Sequence, residues 1–258
     1  MSIRVDQEID GQLTENIIPV RLLAMRHKAD KTLNKNYDRI KGYGEKFISL
    51  SAVNPGEEHT ASKVSLVASA SESIFAGKDG RVVDKVWQLT TNFVNDKRAS
   101  DVEGATFEIT GYLVGKRPEL DKEENETGRL ILSICVVGYK GKANIFDFYA
   151  SGNCAAHIEK NWELGETIKA GGIISMTHKV VEWEEEMGFG EPIKHRRTES
   201  RRELVITRGS HSGLDEEYSY DGTDIKNILE ARMALKKELE RGASAQKPAQ
   251  KASHDYGF

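Results

Sequence analysis

The sequence predicts a mainly β protein: an OB-type five-stranded barrel with an N-terminal extension and a C-terminal helix. Three observations carry this. Between Thr106 and Gly209, five short runs alternate apolar and polar residues: Thr106–Val114, Arg129–Gly138, Asn144–Ser151, Thr167–Thr177 and Glu203–Arg208. That period of two belongs to half-buried strands. A helix-like piece, Cys154–Trp162, falls between the third run and the fourth. Beyond the barrel, Ile225, Ile228, Leu229, Met233, Leu235 and Leu239 make a partial apolar stripe at helical spacing. Five strands with a helix after the third is the pattern of an OB-fold, which most often grips single-stranded nucleic acid or oligosaccharide on an open face.

In the first strand, Phe107, Ile109, Gly111 and Leu113 form the inward set, which puts Tyr112 outside, just before Gly115-Lys116-Arg117-Pro118. In the second, Leu130, Leu132, Ile134 and Val136 face in. Arg129, Ser133 and Cys135 face out, and Tyr139 follows them if the alternation persists. Gly138–Gly141 is a hairpin turn, with Lys140 inside it and Lys142 after it. In the third strand Phe146 and Phe148 are assigned to the core, because the alternative would bury Asp147 unpaired. Tyr149 then faces out with Asp147.

The expected outer face therefore carries Tyr112, Arg129, Tyr139, Lys140, Lys142 and Tyr149, with Lys116 and Arg117 at its edge. Aromatic rings stack on bases of any identity, and neighbouring cations neutralise phosphates and release counterions. The fourth and fifth strands frame an excursion, Thr177 to Ser200, with an acidic half (Glu184, Glu185, Glu186) and a basic half (Lys194, His195, Arg196, Arg197). It reads as a protruding hairpin. Lys179, Trp183, Phe189, Lys194, Arg196, Arg197, Arg201 and Arg202 are its candidate nucleic-acid contacts, while cross-strand pairing of acids with bases is the competing use of the same charges.

Around the barrel block, residues 1–46 read as an acidic and then basic N-terminal arm, with Arg21, Arg26, Lys28, Lys31, Lys35, Arg39, Lys41 and Lys46 against Asp30, Asp38 and Glu45. Residues 47–103 read as an additional β region built on Phe47–Val53, Lys63–Ala70 and Val82–Phe93, either separate or packed on the barrel. The barrel domain is placed at 104–213. The C-terminal helix region is placed at 214–241, its helix capped by Thr223 or Asp224 after a loop to Gly222, and a Lys/Ala/Ser/Gln tail, expected to be disordered, fills 242–258.

Composition narrows the function. With 37 Lys and Arg against 41 Asp and Glu, the net charge of −4 gives no global positive field, so nucleic-acid binding must rest on segregated charge. Cys135 and Cys154 are too few for a disulfide framework and read as reduced thiols. No apolar run approaches the ~20 residues of a membrane span. The N-terminus, with Asp6, Glu8 and Asp10, does not read as a signal peptide. A cytoplasmic location is expected. There is no phosphate-binding Gly-x-x-x-x-Gly-Lys-Ser/Thr loop, and the seven histidines show no pair at metal-ligand spacing. An enzyme, a metal and a cofactor are therefore not expected.

The block from Thr106 to Arg208 resembles the single-stranded DNA-binding protein family, particularly its divergent phage versions. The resemblance rests on Gly111-Tyr112-Leu113-Val114-Gly115, on Thr127-Gly128-Arg129 before the second strand, on Phe146–Tyr149 leading to Ala155-Ala156-His157, and on Gly165 to Gly171 at the fourth strand. It implies a protein that coats single-stranded DNA during replication or recombination, in host cytoplasm if phage-encoded, often as a homo-oligomer. The family often recruits partners through a terminal Phe on an acidic tail. Phe258 ends this chain, but Lys247 and Lys251 replace the acids. The alternatives are an RNA-binding OB protein and a protein-interaction module using the barrel as scaffold.

Overall fold

In a computed structural model of the chain the alternating runs form strands. The structure describes every residue except 10–11, 78–80, 139–140, 186–192 and 246–258. In chain order the helices and strands are β1 (Ser2–Ile9), β2 (Gln12–Leu22), α1 (Lys35–Lys46), β3 (Val64–Ser65), β4 (Ser69–Ala76), β5 (Val82–Thr91), β6 (Asn95–Asp96), β7 (Thr106–Leu120), β8 (Glu126–Val137), β9 (Ala143–Ala150), α2 (Gly152–Asn161), β10 (Thr167–Glu185), β11 (Ile193–Gly209) and α3 (Gly222–Ala245).

The last five strands close a barrel in the order β7-β8-β9-β11-β10, with β10 returning to β7. Neighbours run antiparallel except β9 and β11, which are parallel, and α2 bridges β9 to β10. This is the OB-fold. The inward sets are those of the alternation: Leu113, Leu130, Leu132, Ile134, Phe146 and Phe148 are buried in one cluster with Ile168, Leu204 and Ile206. Several strands outrun the sequence pattern. β10 and β11 continue paired as far as Glu185 and Ile193, beyond the core, where Glu182–Glu185 lie exposed. A strand with no buried face has no alternation to betray it.

The barrel closes tightly at one glycine. The register of β10 on β11 shifts between Gly171 and Gly172, and a Cβ on Gly172 would collide with the Val205 carbonyl oxygen and lie 2.8 Å from its carbon. Bulges of this kind bend a strand sharply enough to close a barrel.

Residues 1–46 do not form an arm. β1 and β2 are an antiparallel hairpin in register from Ser2–Pro19 to Ile9–Gln12, and β2 pairs in parallel with β5. The sheet β1-β2-β5-β4 packs on the barrel, with Ile18, Val20 and Leu89 in the same cluster as the barrel core. Polar side chains fix the contact. Gln7 Nε2 donates to the Ile174 carbonyl (2.9 Å) and Gln7 Oε1 accepts from Ala105 N–H (2.8 Å), while buried Asn16 Oδ1 accepts from Met176 N–H (2.8 Å). Phe47–Val53 is not a strand. Ser49 Oγ accepts from Ser51 N–H and caps a short 3₁₀ turn, Leu50–Ala52, the local bonding by which serine competes with a sheet ladder. The surface helix α1 buries none of its residues and is tethered by Tyr43, whose hydroxyl donates to Asn92 O and accepts from Val94 N–H.

α3 is capped by Asp221, two to three residues earlier than the sequence suggests. Asp221 Oδ1 accepts from Thr223 N–H (2.7 Å) and Asp224 N–H (3.2 Å). Ile225 is buried, and Ile228 and Leu229 pack on the barrel, whereas Met233 and Leu235 stay exposed. The next turns carry a charged lock. Glu72 of β4, whose side chain is 0% exposed, receives Arg232 of α3, and its Oε2 accepts from Ile145 N–H of β9 (2.8 Å). Arg232 and Lys236 both reach Asp84 of β5, at 3.2 and 2.8 Å. One carboxylate thus joins the N-terminal sheet, the barrel and the C-terminal helix.

Partial burial works against the Asp84 charge, but hydrogen bonds and charge from Lys236 and Arg232 outweigh it and hold the carboxyl below the usual aspartate range. A depressed folded-state pKa contributes stability that is full above the unfolded value of ~3.9 and is lost as pH falls through the folded value. Asp84→Asn is expected to lower stability at neutral pH and to flatten the acid limb of a urea-midpoint-versus-pH curve. A variant whose acid limb matches the parent's would show that Asp84 titrates alike in both states.

Among the described residues, no helix is long and apolar enough to cross a membrane.

Candidate nucleic-acid interface

The outer surface of β8 and β9 divides into two halves. One is covered. Tyr112, Val114, Cys135, Ala143 and Ile145 form a second apolar cluster closed by Ile228 and Leu229 of α3. Tyr112 points outward as the alternation requires, but it packs beneath the helix and offers no open ring. The same cover leaves Cys135 0% exposed, and burial pushes its thiol pKa up.

The other half, beside the β10–β11 hairpin, is only partly open: Arg117 and Arg201 are exposed, Tyr149 is half-buried, and Ile131 and Val205 are buried. Register places Arg117 of β7 beside Ile131 of β8, Ile131 beside Tyr149 of β9, and Tyr149 beside Val205 of β11. Their parity is outward, since Leu130, Leu132, Phe148, Leu204 and Ile206 fill the interior. Arg129 lays its guanidinium over the Tyr149 ring, 5.0 Å from the centroid. Two carboxylates fix that guanidinium, Glu203 at 3.1 Å and Glu119 at 3.3 Å, and Arg201 completes the cluster with bonds to Glu119 (2.9 Å) and Glu203 (2.6 Å). Burial, then the charges of Glu203, Asp147 and Glu119, raise the Tyr149 pKa and keep its phenol protonated at neutral pH. Asp147 is outward and accepts from Ser133 Oγ at 2.6 Å.

On the hairpin, Trp183 is 46% exposed and stacks on His195, rings 5.1 Å apart and 14° from parallel. Acids and bases pair across it: Lys194 with Glu184 and Arg196 with Glu182, each at 3.6 Å, and His195 with Glu185 at 2.8 Å. All are exposed, and such pairs contribute about 0–1 kcal/mol. Phosphates can therefore displace these glutamates at small cost.

Three other candidates do different work. Lys116 Nζ donates to the Glu159 (3.0 Å) and Trp162 (2.8 Å) carbonyls, satisfying the C-terminal end of α2. Lys142 Nζ reaches the Glu72 carbonyl at 3.4 Å, beside the charged lock. Arg202 lies on the opposite face of β11 from Arg201, at the foot of the N-terminal sheet. Arg117 and Arg197 are exposed, as expected. Lys179 lies opposite Glu199 in the hairpin, its side chain outside the described ones. Tyr139, Lys140, Phe189 and Phe258 lie outside the described residues.

The open half thus gathers Arg117, Arg129, Tyr149 and Arg201 at the barrel, while Trp183 and Arg197 lie farther out along the hairpin, beyond the level at which Ile173 pairs with Val205. Sequence reasoning missed Ile131 and Val205, the apolar floor on either side of Tyr149. The signal was there: Leu130-Ile131-Leu132 and Leu204-Val205-Ile206 are unbroken apolar triplets, which mark strands covered on both faces.

The YorF family model matches residues 1–242. The chain belongs to the YorF family. The match takes in the N-terminal sheet, the barrel and most of α3, so the YorF region contains the whole packed unit and every described residue of the open half. Among curated proteins none matches the chain.

Proposed function

We propose that this YorF-family protein binds single-stranded DNA without sequence preference. The observation that carries the reading is one juxtaposition. The OB barrel presents a cation-capped ring, Arg129 on Tyr149, over an apolar floor, at the foot of a hairpin that bears the exposed Trp183–His195 stack farther out. OB-folds bind oligonucleotides on this strand face and with the loop joining their last two strands. Bases stack on the guanidinium–phenol pair and on Trp183, while Arg117, Arg197 and the hairpin cations meet phosphates. The family resemblance of the Gly111–Gly115 and Thr127–Arg129 stretches supports replication or recombination in the cytoplasm as the setting.

The test is binding of labelled oligo-dT at two salt concentrations beside matched duplex DNA, with RNA as competitor. Tight, salt-sensitive binding to the single strand alone is expected. Tyr149→Ala and Trp183→Ala should each weaken it roughly 5- to 150-fold, the loss of one base stack of about 1–3 kcal/mol. Unaltered affinity in both variants would rule out this site.

A second reading, a protein-interaction module, is favoured by the glutamates that already pair the hairpin cations. Absence of any salt-dependent retention of the parent protein on single-stranded DNA would decide for it.

A further inference from the structure

Several cations around the barrel are already paired with carboxylates: Arg129, Arg201, Arg208, Lys194 and Arg196 all have acidic partners. Arg21 and Arg202 differ. Both are exposed, and neither has an ion-pair or hydrogen-bond partner among the described residues. They come from elements far apart in sequence, β2 and β11, yet line one groove of about 450 Å³ together with Trp87, Met176 and Met1.

The groove walls are held in place. Met176 N–H is bonded to buried Asn16, Met176 is paired with Arg202 across β10 and β11, and the Met1 ammonium donates to the Val20 carbonyl at 3.0 Å. Trp87 is half-buried: it packs on the core and also lines the groove. Two unneutralised guanidinium groups beside an indole suit a ligand that is both anionic and planar. Arginine forks match phosphate oxygens, and an indole face takes a base.

Arg201 and Arg202 are consecutive, so they leave β11 on opposite faces. Arg201 joins the cluster around Tyr149, whereas Arg202 enters the groove. The hairpin therefore rises between two candidate contacts. We infer that a single strand of DNA wraps the base of the β10–β11 hairpin, with nucleotides on the barrel face on one side and in the Arg21–Trp87–Arg202 groove on the other. This inference rests on the single-strand reading above and extends its track to the N-terminal sheet.

The experiment uses the full chain and two oligothymidylates. One is about 10 nucleotides long, within the span of a single OB-fold, and one is about 30 nucleotides, beyond it. Arg21→Ala/Arg202→Ala is expected to weaken binding of the longer oligomer about tenfold and to reduce its salt slope by about 1.4, two phosphate contacts at ~0.7 each. The shorter oligomer should bind as it does to the parent. Arg21→Lys/Arg202→Lys should restore part of the loss. Tryptophan emission gives a second readout. The extra quenching that the longer oligomer produces over the shorter one should vanish in Trp87→Phe.

If the double variant binds both lengths like the parent while Tyr149→Ala still weakens both, the groove is overturned and the barrel reading stands. If the parent protein binds neither oligomer, the single-strand reading itself has failed and the wrapped track falls with it.

Discussion

Glu72→Ala is expected to destabilise the folded chain by about 3–5 kcal/mol, the loss that follows when one member of a buried ion pair is removed and the other remains. Glu72 is fully enclosed, and its contacts include Arg232 of α3, Ile145 N–H of β9, its own N–H on Asn144 Oδ1 and its carbonyl beneath Lys142 Nζ. Alanine leaves the Arg232 guanidinium facing Asp84 alone and orphans an amide on the barrel strand. Urea denaturation measures the loss. Glu72→Gln should lose less, since its amide oxygen can still accept from Ile145. The double variant Glu72→Ala/Arg232→Met should recover part of the stability, because it no longer buries an unpaired charge. A loss below about 1 kcal/mol for the single variant, the value of an exposed pair, would show that α3 is not locked onto the sheet.

Gly172→Ala is expected to cost at least about 3 kcal/mol, the top of the range for overpacking, because the added methyl meets backbone with no rotamer to yield. The Val205 carbonyl carbon and the Ile206 Cα would lie 2.8 and 3.0 Å from it. Relief requires β10 and β11 to separate at the bulge. The near-ultraviolet circular dichroism and the urea midpoint should both fall. Gly42→Ala on α1 is the control: a Cβ there meets nothing within 4 Å, and its stability should stay level or rise. Equal responses at the two positions would deny Gly172 its role in closure.

These two residues also mark where the sequence was readable. The barrel was legible because the inward positions of its strands are apolar where several outward ones are polar, so Leu130, Leu132 and Ile134 announce themselves against Arg129 and Ser133. Gly172 was visible only as a glycine, since the carbonyl that crowds it lies thirty-odd residues further along the chain. Glu72 was one acid in a strand of small residues, and its partner Arg232 sits on a different element. Long-range pairing of single charges leaves no local period.

The interface was half legible for the same reason. Alternation told correctly that Tyr112 and Tyr149 both point outward. It could not tell that α3 lies over the first and leaves the second beside the hairpin, because the apolar stripe of Ile225, Ile228 and Leu229 says that a helix packs and not where. The basic stretch from Arg21 to Lys46 misled by composition. Only Arg21 and Leu22 of it continue β2, whose Ile18 and Val20 are core residues, and its second half, Lys35–Lys46, is the surface helix α1.

The parallel pairing of β9 with β11 has a consequence for how the barrel breathes. Among the described residues these strands meet in register only at Leu204–Phe148 and Val205–Tyr149, whereas β8 and β9 are paired along their whole shared length. Loop-closure entropy disfavours joining segments so distant in the chain until the rest of the fold is in place. With two register pairs, this seam has the fewest ladder bonds to break among the described strand pairs of the barrel, so local opening costs least there. Tyr149 and Val205 both lie on this seam, so under the single-strand proposal nucleotides laid across it would act as a stitch. The freedom lost on suppressing the opening would be a cost set against the binding energy of such a strand, returned to the barrel on its departure.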